Sequence, residues 1–492
     1  METEFVFRNG LLHVENVPVR QIYAEREDME PMFIFSKNKI ILNVQQYRNE
    51  LEKQSFASTI NYSMKANANP AILKILKENG CSLTLVSGLE LKLALELDFP
   101  KYQLVLNGNG KQKWEIELAI ENGVLLNIDS VFDLEQITSE CRRLNKPVRV
   151  LLRINPNIEV DVHQHNCTGK AGSKFGLDEM EFGHVVSALR DNGFIQLVGL
   201  HCHLGSTIDD VNAIAESTAK LVKIFKDLKR NFESLKYINI GGGLGIPYRK
   251  LENETLAWKS LSEVSKQNLD NLFHELTVCK TSKAIVERFK SDKISAKQFL
   301  DTIKANCTES NSEVVRKLLN FFESKNVMPT PADLIQKIKP FIDDDIHLIL
   351  EPGRSLIGNA AVLLCSVIGC KKSSDKNFLV VNAAMTEVIR PSMYGAYHHI
   401  DLAEPSSNEK NVYNVVGPVC ESGDFLGKNR LLPTPHVGCL LAIFDVGAYC
   451  GSMSMTYNMR RRPAEFLVDG DSVMMIRRAD TYADLLEPYR VV

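Results

Sequence analysis

The sequence predicts an α/β protein: a closed (β/α)8 TIM-type barrel followed by a C-terminal all-β domain of sandwich or barrel-like form. Three observations carry this. Short aliphatic runs alternate with helical patterns up to about residue 350, chemically unusual residues sit where those runs end, and long helical patterns stop after residue 360.

Eight runs have strand character: 58–64, 82–87, 102–108, 123–129, 148–155, 195–203, 235–241 and 346–351. Between them, segments such as 90–97, 130–144 and 217–232 have helical spacing. Strand–helix alternation implies right-handed crossovers and a parallel sheet. Eight such units over about 300 residues match a barrel. An open doubly wound sheet would also alternate, so the placement of polar residues decides. Lys65, Ser87-Gly88, Asn107-Gly108, Asp129, Asn155, His203, Gly241-Gly242-Gly243 and Glu351 lie at or just after strand ends. Barrel enzymes build their sites in that layer.

Later runs at 361–370, 377–383, 412–420, 439–449 and 464–478 read as strands without long helices between them. The predicted division is therefore a barrel over 36–358 and a β domain over 359–492, joined by an N-terminal strand or hairpin from 1–35. Residues 250–329 fit neither pattern. They are charged and helix-leaning, and read as an insertion on the barrel rim.

Composition narrows the class. Charged residues make up 24% of 492 and the net charge is -3, so no basic field favours nucleic acid or an acidic membrane. No run approaches the ~18 apolar residues of a membrane span. Eleven cysteines without paired spacing suit a reduced cytoplasmic protein. The opening "METEFVFRNG" has neither a signal core nor the look of a transit peptide.

The segment "NYSMKANANP" (61–70) ends a strand on a lysine. Lys65 is either a solvated strand end or a reactive amine. A reactive amine would suit pyridoxal 5'-phosphate, which needs an imine-forming lysine, an anion cradle, an acidic partner for its ring nitrogen and a flat group against the ring. "NIGGGLG" (239–245) offers backbone N–H groups with no side chains in the way. "EPGR" (351–354) puts Glu351 at the tip of the eighth strand, and "GLHCHLGS" (199–206) offers His203 as a stacking plate and Ser206 as a phosphate donor. His201 and His203 share a strand face and could bind a metal together, but no third ligand has an obvious place. His163 and His165 give no metal assignment either, so no metal is expected.

With these motifs in view, the chain resembles the fold type III (alanine-racemase-fold) pyridoxal-phosphate decarboxylases, and among them the diaminopimelate decarboxylases. "YSMKANAN", "HCHLGS", "GGGLG", "EPGRS", "IRPSMYGAYH", "CESGDFLG" and "DVGAY" occur in the family's order. The resemblance implies that Lys65 holds the cofactor, His203 stacks on its ring and Glu351 binds its nitrogen. Ser206, Gly241, Gly242, Gly243, Arg354 and Tyr449 would hold or approach the cofactor, Tyr449 and Arg354 also facing substrate. Arg354, Arg390, Tyr394 and Glu421 would grip the substrate's distal end. Cys420 would protonate the carbanion, and Cys420 with Glu421 would come from the partner subunit of a homodimer.

The implied reaction converts meso-diaminopimelate to L-lysine and carbon dioxide. A decarboxylase gains by gripping the far end of its substrate and leaving the scissile carboxylate unpaired, and arginine suits a distal carboxylate. Cys-Glu with Arg390 favours a zwitterionic end over ornithine's plain ammonium. The chain departs from the family at Thr84, where an aspartate is usual, at Gly110 in "GNGK", at Asn382 and in the insertion. A relative acting on a conjugated diamino acid, a silent regulatory protein that kept the fold, and a racemase remain as alternatives.

Overall fold

The computed structural model describes residues 4–24, 31–158, 173–248, 258, 263–277, 283–308, 311–324, 328–374, 376–404 and 409–489. The chain divides into two compact units. One comprises Met1–Asn38, Pro247–Met328 and Asn359–Val492; the other comprises Lys39–Ile246 and Pro329–Gly358.

Strands β1 (Phe5–Arg8), β2 (Leu11–Val14) and β3 (Val17–Pro18) form a small antiparallel sheet in the first unit, and β4 (Met32–Ser36) follows. The second unit is a closed barrel of eight parallel strands: β5 (Ser58–Ser63), β6 (Ser82–Leu85), β7 (Val105–Leu106), β8 (Leu125–Ile128), β9 (Val148–Arg153), β10 (Ile195–His201), β11 (Tyr237–Asn239) and β12 (His347–Leu350). Closure comes from β12 pairing with β5, Leu350 opposite Ile60. Val105, Leu125, Leu151 and Val198 pack together among the strands. The barrel helices begin on sequence-encoded caps: Ser87 accepts from Glu90 N, Ser130 from Asp133 N, and Asp210 from Asn212 N.

The second expected β-rich region is present. A nine-stranded sheet contains β4, β13 (Ala361–Lys372), β14 (Asn377–Val381), β15 (Ile400–Leu402), β16 (Lys410–Val416), β17 (Phe425–Pro433), β18 (Leu440–Phe444), β19 (Ala464–Asp469) and β20 (Ser472–Arg477). β13 is long enough to serve two sets of partners: its first half pairs with β4 and β18, its second half with β14 across a register shift between Val367 and Gly369. Met32, Ile34, Val362, Leu364, Ala442, Phe466 and Val468 are buried in its core. β17 escapes a sequence reading because "GKNR" interrupts its apolar alternation.

Between Pro247 and Met328 the described residues form four helices, Glu263–Thr277, Lys283–Lys290, Ala296–Ala305 and Ser312–Ser324. They bury their own core of Leu269, Phe273, Phe289, Phe299, Leu318 and Phe322. The helix-leaning pattern of the insertion thus corresponds to a small helical module.

Candidate active site

Lys65 follows β5 in a single 3-10 turn, Met64–Ala66, with its side chain exposed. The strand end is anchored first. Ser63 N–H is donated to the Pro352 carbonyl at 3.0 Å, and Ser63 Oγ donates to the Glu351 carbonyl at 2.9 Å. Beyond the turn, Tyr62 Oη donates to the Asn67 carbonyl at 3.0 Å, and Asn69 caps the helix that starts at Pro70 by accepting Ala71 N–H. Tyr62, Ser63 and Asn69 of "NYSMKANANP" therefore anchor the turn that presents the lysine and the helix that follows it.

Glu351, 6% exposed, lies at the end of β12. Thr84 Oγ1 donates to its Oε1 at 2.8 Å and Asn239 Nδ2 at 2.7 Å, while Asn107 Nδ2 reaches both carboxylate oxygens at 3.2 Å. Asn127 Nδ2 donates to His201 Nδ1, which leaves the ring hydrogen on Nε2, 3.4 Å from Glu351 Oε2. Burial alone would push the carboxyl up; His201, Asn239 and Thr84 reverse this and bring its pKa to about 2. The group is a fixed anion, suited to holding a protonated ring nitrogen.

His203 follows β10 and is half-buried. Surrounding atoms, then the charge of Lys65 and that of Arg153, hold its pKa well below 6.5, so the ring is neutral and suited to stacking. Gly242 N–H points at its Nδ1 at 3.4 Å. The glycine loop cannot carry side chains: a Cβ on Gly242 would meet the Glu351 carbonyl at 2.1 Å, and one on Gly243, at φ +106°, would meet the Gly205 carbonyl at 2.4 Å. Gly241 N–H is donated to Asn239 Oδ1 at 2.9 Å. Arg354, buried, donates through Nη2 to Ser206 Oγ at 2.9 Å. Lys65, Ser206, the glycines, Glu351 and Arg354 thus lie in the barrel unit at strand ends or in the loops beyond them. The residues fit pyridoxal 5'-phosphate: a lysine on a turn, an ionised carboxylate amid neutral donors, and a loop whose backbone alone fills its space.

The remaining predicted residues belong to the other unit. Arg390 and Tyr394 are the ends of one short helix. Arg390 is 4% exposed; its guanidinium lies 4.7 Å from the centre of the Tyr248 ring and meets His398 at 2.6 Å. No carboxylate pairs with it among the described residues. Cys420 and Glu421 are exposed on the turn after β16, where Cys420 N–H is donated to Asn458 Oδ1 at 2.9 Å. Ser392 Oγ donates to the Gly423 carbonyl at 2.6 Å, tying the Arg390 helix to this turn. Asp424, buried, accepts Val419 N–H and Met385 N–H and sets the turn's shape. Tyr449, half-buried, sits in left-handed backbone at φ +57° in the segment after β18.

Asn107 stood out only as a strand end and His201 only as a metal candidate; Asn239 and His398 lie within quoted motifs without a role assigned to them, and Tyr248 did not stand out at all. No group of three or more potential metal ligands occurs among the described residues. His163 and His165 lie outside the described residues.

A barrel that presents a lysine, a buried ionised carboxylate and a glycine loop at its strand ends has the parts of a pyridoxal-phosphate enzyme. Comparison with known proteins makes this specific. The family described as pyridoxal-dependent decarboxylase, pyridoxal binding domain, matches residues 37–287. A probable chloroplastic diaminopimelate decarboxylase of Oryza sativa is 37% identical over 97% of this chain and 83% of its own length. The diaminopimelate decarboxylase of Archaeoglobus fulgidus is 32% identical over 99% of each chain. Among solved structures, diaminopimelate decarboxylase from M. jannaschii in co-complex with L-lysine superposes with a TM-score of 0.80 at 29% identity, covering 100% of this chain and 99% of that one. The chain belongs to the pyridoxal-dependent decarboxylases. It is a carboxy-lyase, and pyridoxal 5'-phosphate is its cofactor.

Proposed function

We propose that the chain is a homodimeric decarboxylase that converts meso-diaminopimelate to L-lysine and carbon dioxide. The observation that carries the substrate is Arg390. It is a buried guanidinium whose hydrogen-bonding neighbour is an imidazole and not a carboxylate. A buried cation wants an anion, and a distal carboxylate on the substrate supplies one that ornithine and lysine lack. The names of the relatives point the same way.

When bound, pyridoxal 5'-phosphate supplies the electron sink that lets the α-carboxylate leave. The chain's residues do the rest. Lys65 would hold the cofactor, neutral His203 would offer a flat group to its ring, and Glu351 would favour a protonated ring nitrogen. Ser206, Gly241, Gly242, Gly243, Arg354 and Tyr449 bind or approach its phosphate. Arg354, Arg390, Tyr394, Tyr449 and Glu421 orient the substrate by its distal end, so the scissile carboxylate carries no strong ion pair. The Cys420 thiol gives its proton to the α-carbon, and Cys420 and Glu421 come from the partner subunit.

Among the described residues no helix is long and apolar enough to cross a membrane. The eleven cysteines occur without paired spacing, which supports a reducing compartment, and we propose the cytoplasm. Fractionation that recovers the chain inside an organelle would overturn that.

The test is a mass-spectrometric product assay on cofactor-loaded protein, with meso-diaminopimelate, L-ornithine, L-lysine and L-arginine offered separately. L-lysine from diaminopimelate alone is expected. Arg390→Ala should raise KM for diaminopimelate by tenfold or more, and Cys420→Ala should leave the cofactor bound while cutting kcat on the order of a hundredfold. Product from ornithine at comparable kcat/KM would reject the distal-carboxylate reading.

A further inference from the structure

Arg390 is held by a residue outside the predicted site. His398 is 0% exposed, and its two ring nitrogens face different partners. Nδ1 is 2.8 Å from the Phe444 carbonyl, and Nε2 is 2.6 Å from Arg390 Nη1. A carbonyl oxygen only accepts, so the ring hydrogen sits on Nδ1. The Nε2 lone pair therefore faces the guanidinium, which can only donate. The backbone of β18 thus selects the histidine tautomer, and the tautomer selects where the guanidinium points.

Two further contacts narrow its freedom. The Tyr248 ring lies 4.7 Å from the guanidinium carbon and packs edge-on to the His398 ring at 5.2 Å. Arg430 Nη2 donates to the His398 carbonyl at 3.1 Å, while its guanidinium lies 3.9 Å from the centre of the Tyr397 ring. A neutral acceptor holds Arg390 without cancelling its charge, whereas a carboxylate in the same place would compete with an anionic ligand. One N–H is committed to His398, and among the described residues no carboxylate takes the rest of the donor fork, which suits a bidentate partner.

We propose that His398 is a positioning residue for substrate binding: with its tautomer set by the Phe444 carbonyl, it fixes Arg390 in the orientation that receives the substrate's distal carboxylate. This rests on the reading of Arg390 as the distal grip.

The two nitrogens of His398 can be tested one at a time. His398→Asn places an amide near the Nδ1 position and withdraws from Arg390; His398→Gln extends an amide oxygen toward the Nε2 position and keeps an acceptor there. Steady-state kinetics with meso-diaminopimelate are measured on the cofactor-loaded variants, with cofactor absorbance and Tm as checks of fold. His398→Asn should raise KM about tenfold or more with kcat within about threefold, because a hydrogen bond to a charged group is lost. His398→Gln should return KM to within about threefold of the parent. In an Arg390→Ala background, His398→Asn should raise KM no further. A full KM increase in that background would overturn the proposal, since His398 would then act by another route. So would equal KM values for the Asn and Gln variants. If Arg390→Ala raises KM and His398→Asn does not, this proposal falls and the distal-grip reading stands. If Arg390→Ala leaves KM unchanged, both fall.

Discussion

Thr84 stands where an aspartate is usual in the family the sequence resembles, and the structure gives the substitution a use. Its hydroxyl donates to Glu351 Oε1 at 2.8 Å, so a carboxylate there would crowd an ionised one. Thr84→Val keeps the shape and removes the donor. Glu351 is held at about 2, below the ordinary 4.5, so it contributes stability above about pH 4.5, lost as pH falls toward 2. Without Thr84 its pKa moves back toward 4.5 and that contribution shrinks. Urea unfolding of the cofactor-free variant should show a loss of about 1.5–3 kcal/mol at neutral pH, narrowing as the pH is lowered. A difference unchanged at acid pH would detach the effect from Glu351. The comparison also separates what sequence can and cannot reveal about a site. Lys65, His203 and Glu351 are visible as rare residue types at strand ends. Asn107 is visible only as a strand end and His201 only as a metal candidate, and it is barrel closure that aims both, with Asn239, at one carboxylate.

At the scale of elements, the barrel strands and helices follow from hydrophobic periodicity and caps, whereas the insertion's core does not follow from its composition. Residues 250–329 look solvated because lysine, glutamate and asparagine are frequent. Their aromatic residues nevertheless converge. Phe289 and Phe299 stack with centroids 5.0 Å apart, Phe273 meets both edge-on, and Lys290 lies 5.5 Å from the Trp258 ring. Ser295 and Gln298 form a capping box at the start of the third helix. Such a module should unfold on its own account. Phe289→Ala removes a fully buried ring and should destabilise the helices by about 3–5 kcal/mol. Hydrogen exchange should then rise across 263–324 and stay low in the barrel strands, with kcat and KM for diaminopimelate unaltered. A matching fall in kcat/KM would tie the insertion to catalysis.

At the scale of the whole molecule, Lys65 and Glu351 belong to one compact unit, and Arg390, Cys420 and Glu421 to the other. A reaction that uses both sets can draw them from one chain or from two, and sequence periodicity is blind to that choice because it reports only on contacts within a chain. The proposed homodimer draws Cys420 and Glu421 from the partner. That arrangement has a consequence no single-chain site shares. Alone, Lys65→Ala is inactive and Cys420→Ala keeps about a hundredth of the parental kcat. On random exchange of subunits, about half of the dimers are mixed, and each mixed dimer holds one site with both residues intact and one with neither. Activity should therefore recover to about a quarter of the parental value on co-refolding or co-expression of the two variants. If Lys65 and Cys420 serve one site within the same chain, every site in the mixture lacks one of them and no activity returns. Size-exclusion chromatography of the same mixtures shows whether dimers formed. A dimer without recovered activity would leave the association in place and assign the proton-donating thiol to the same chain as the lysine.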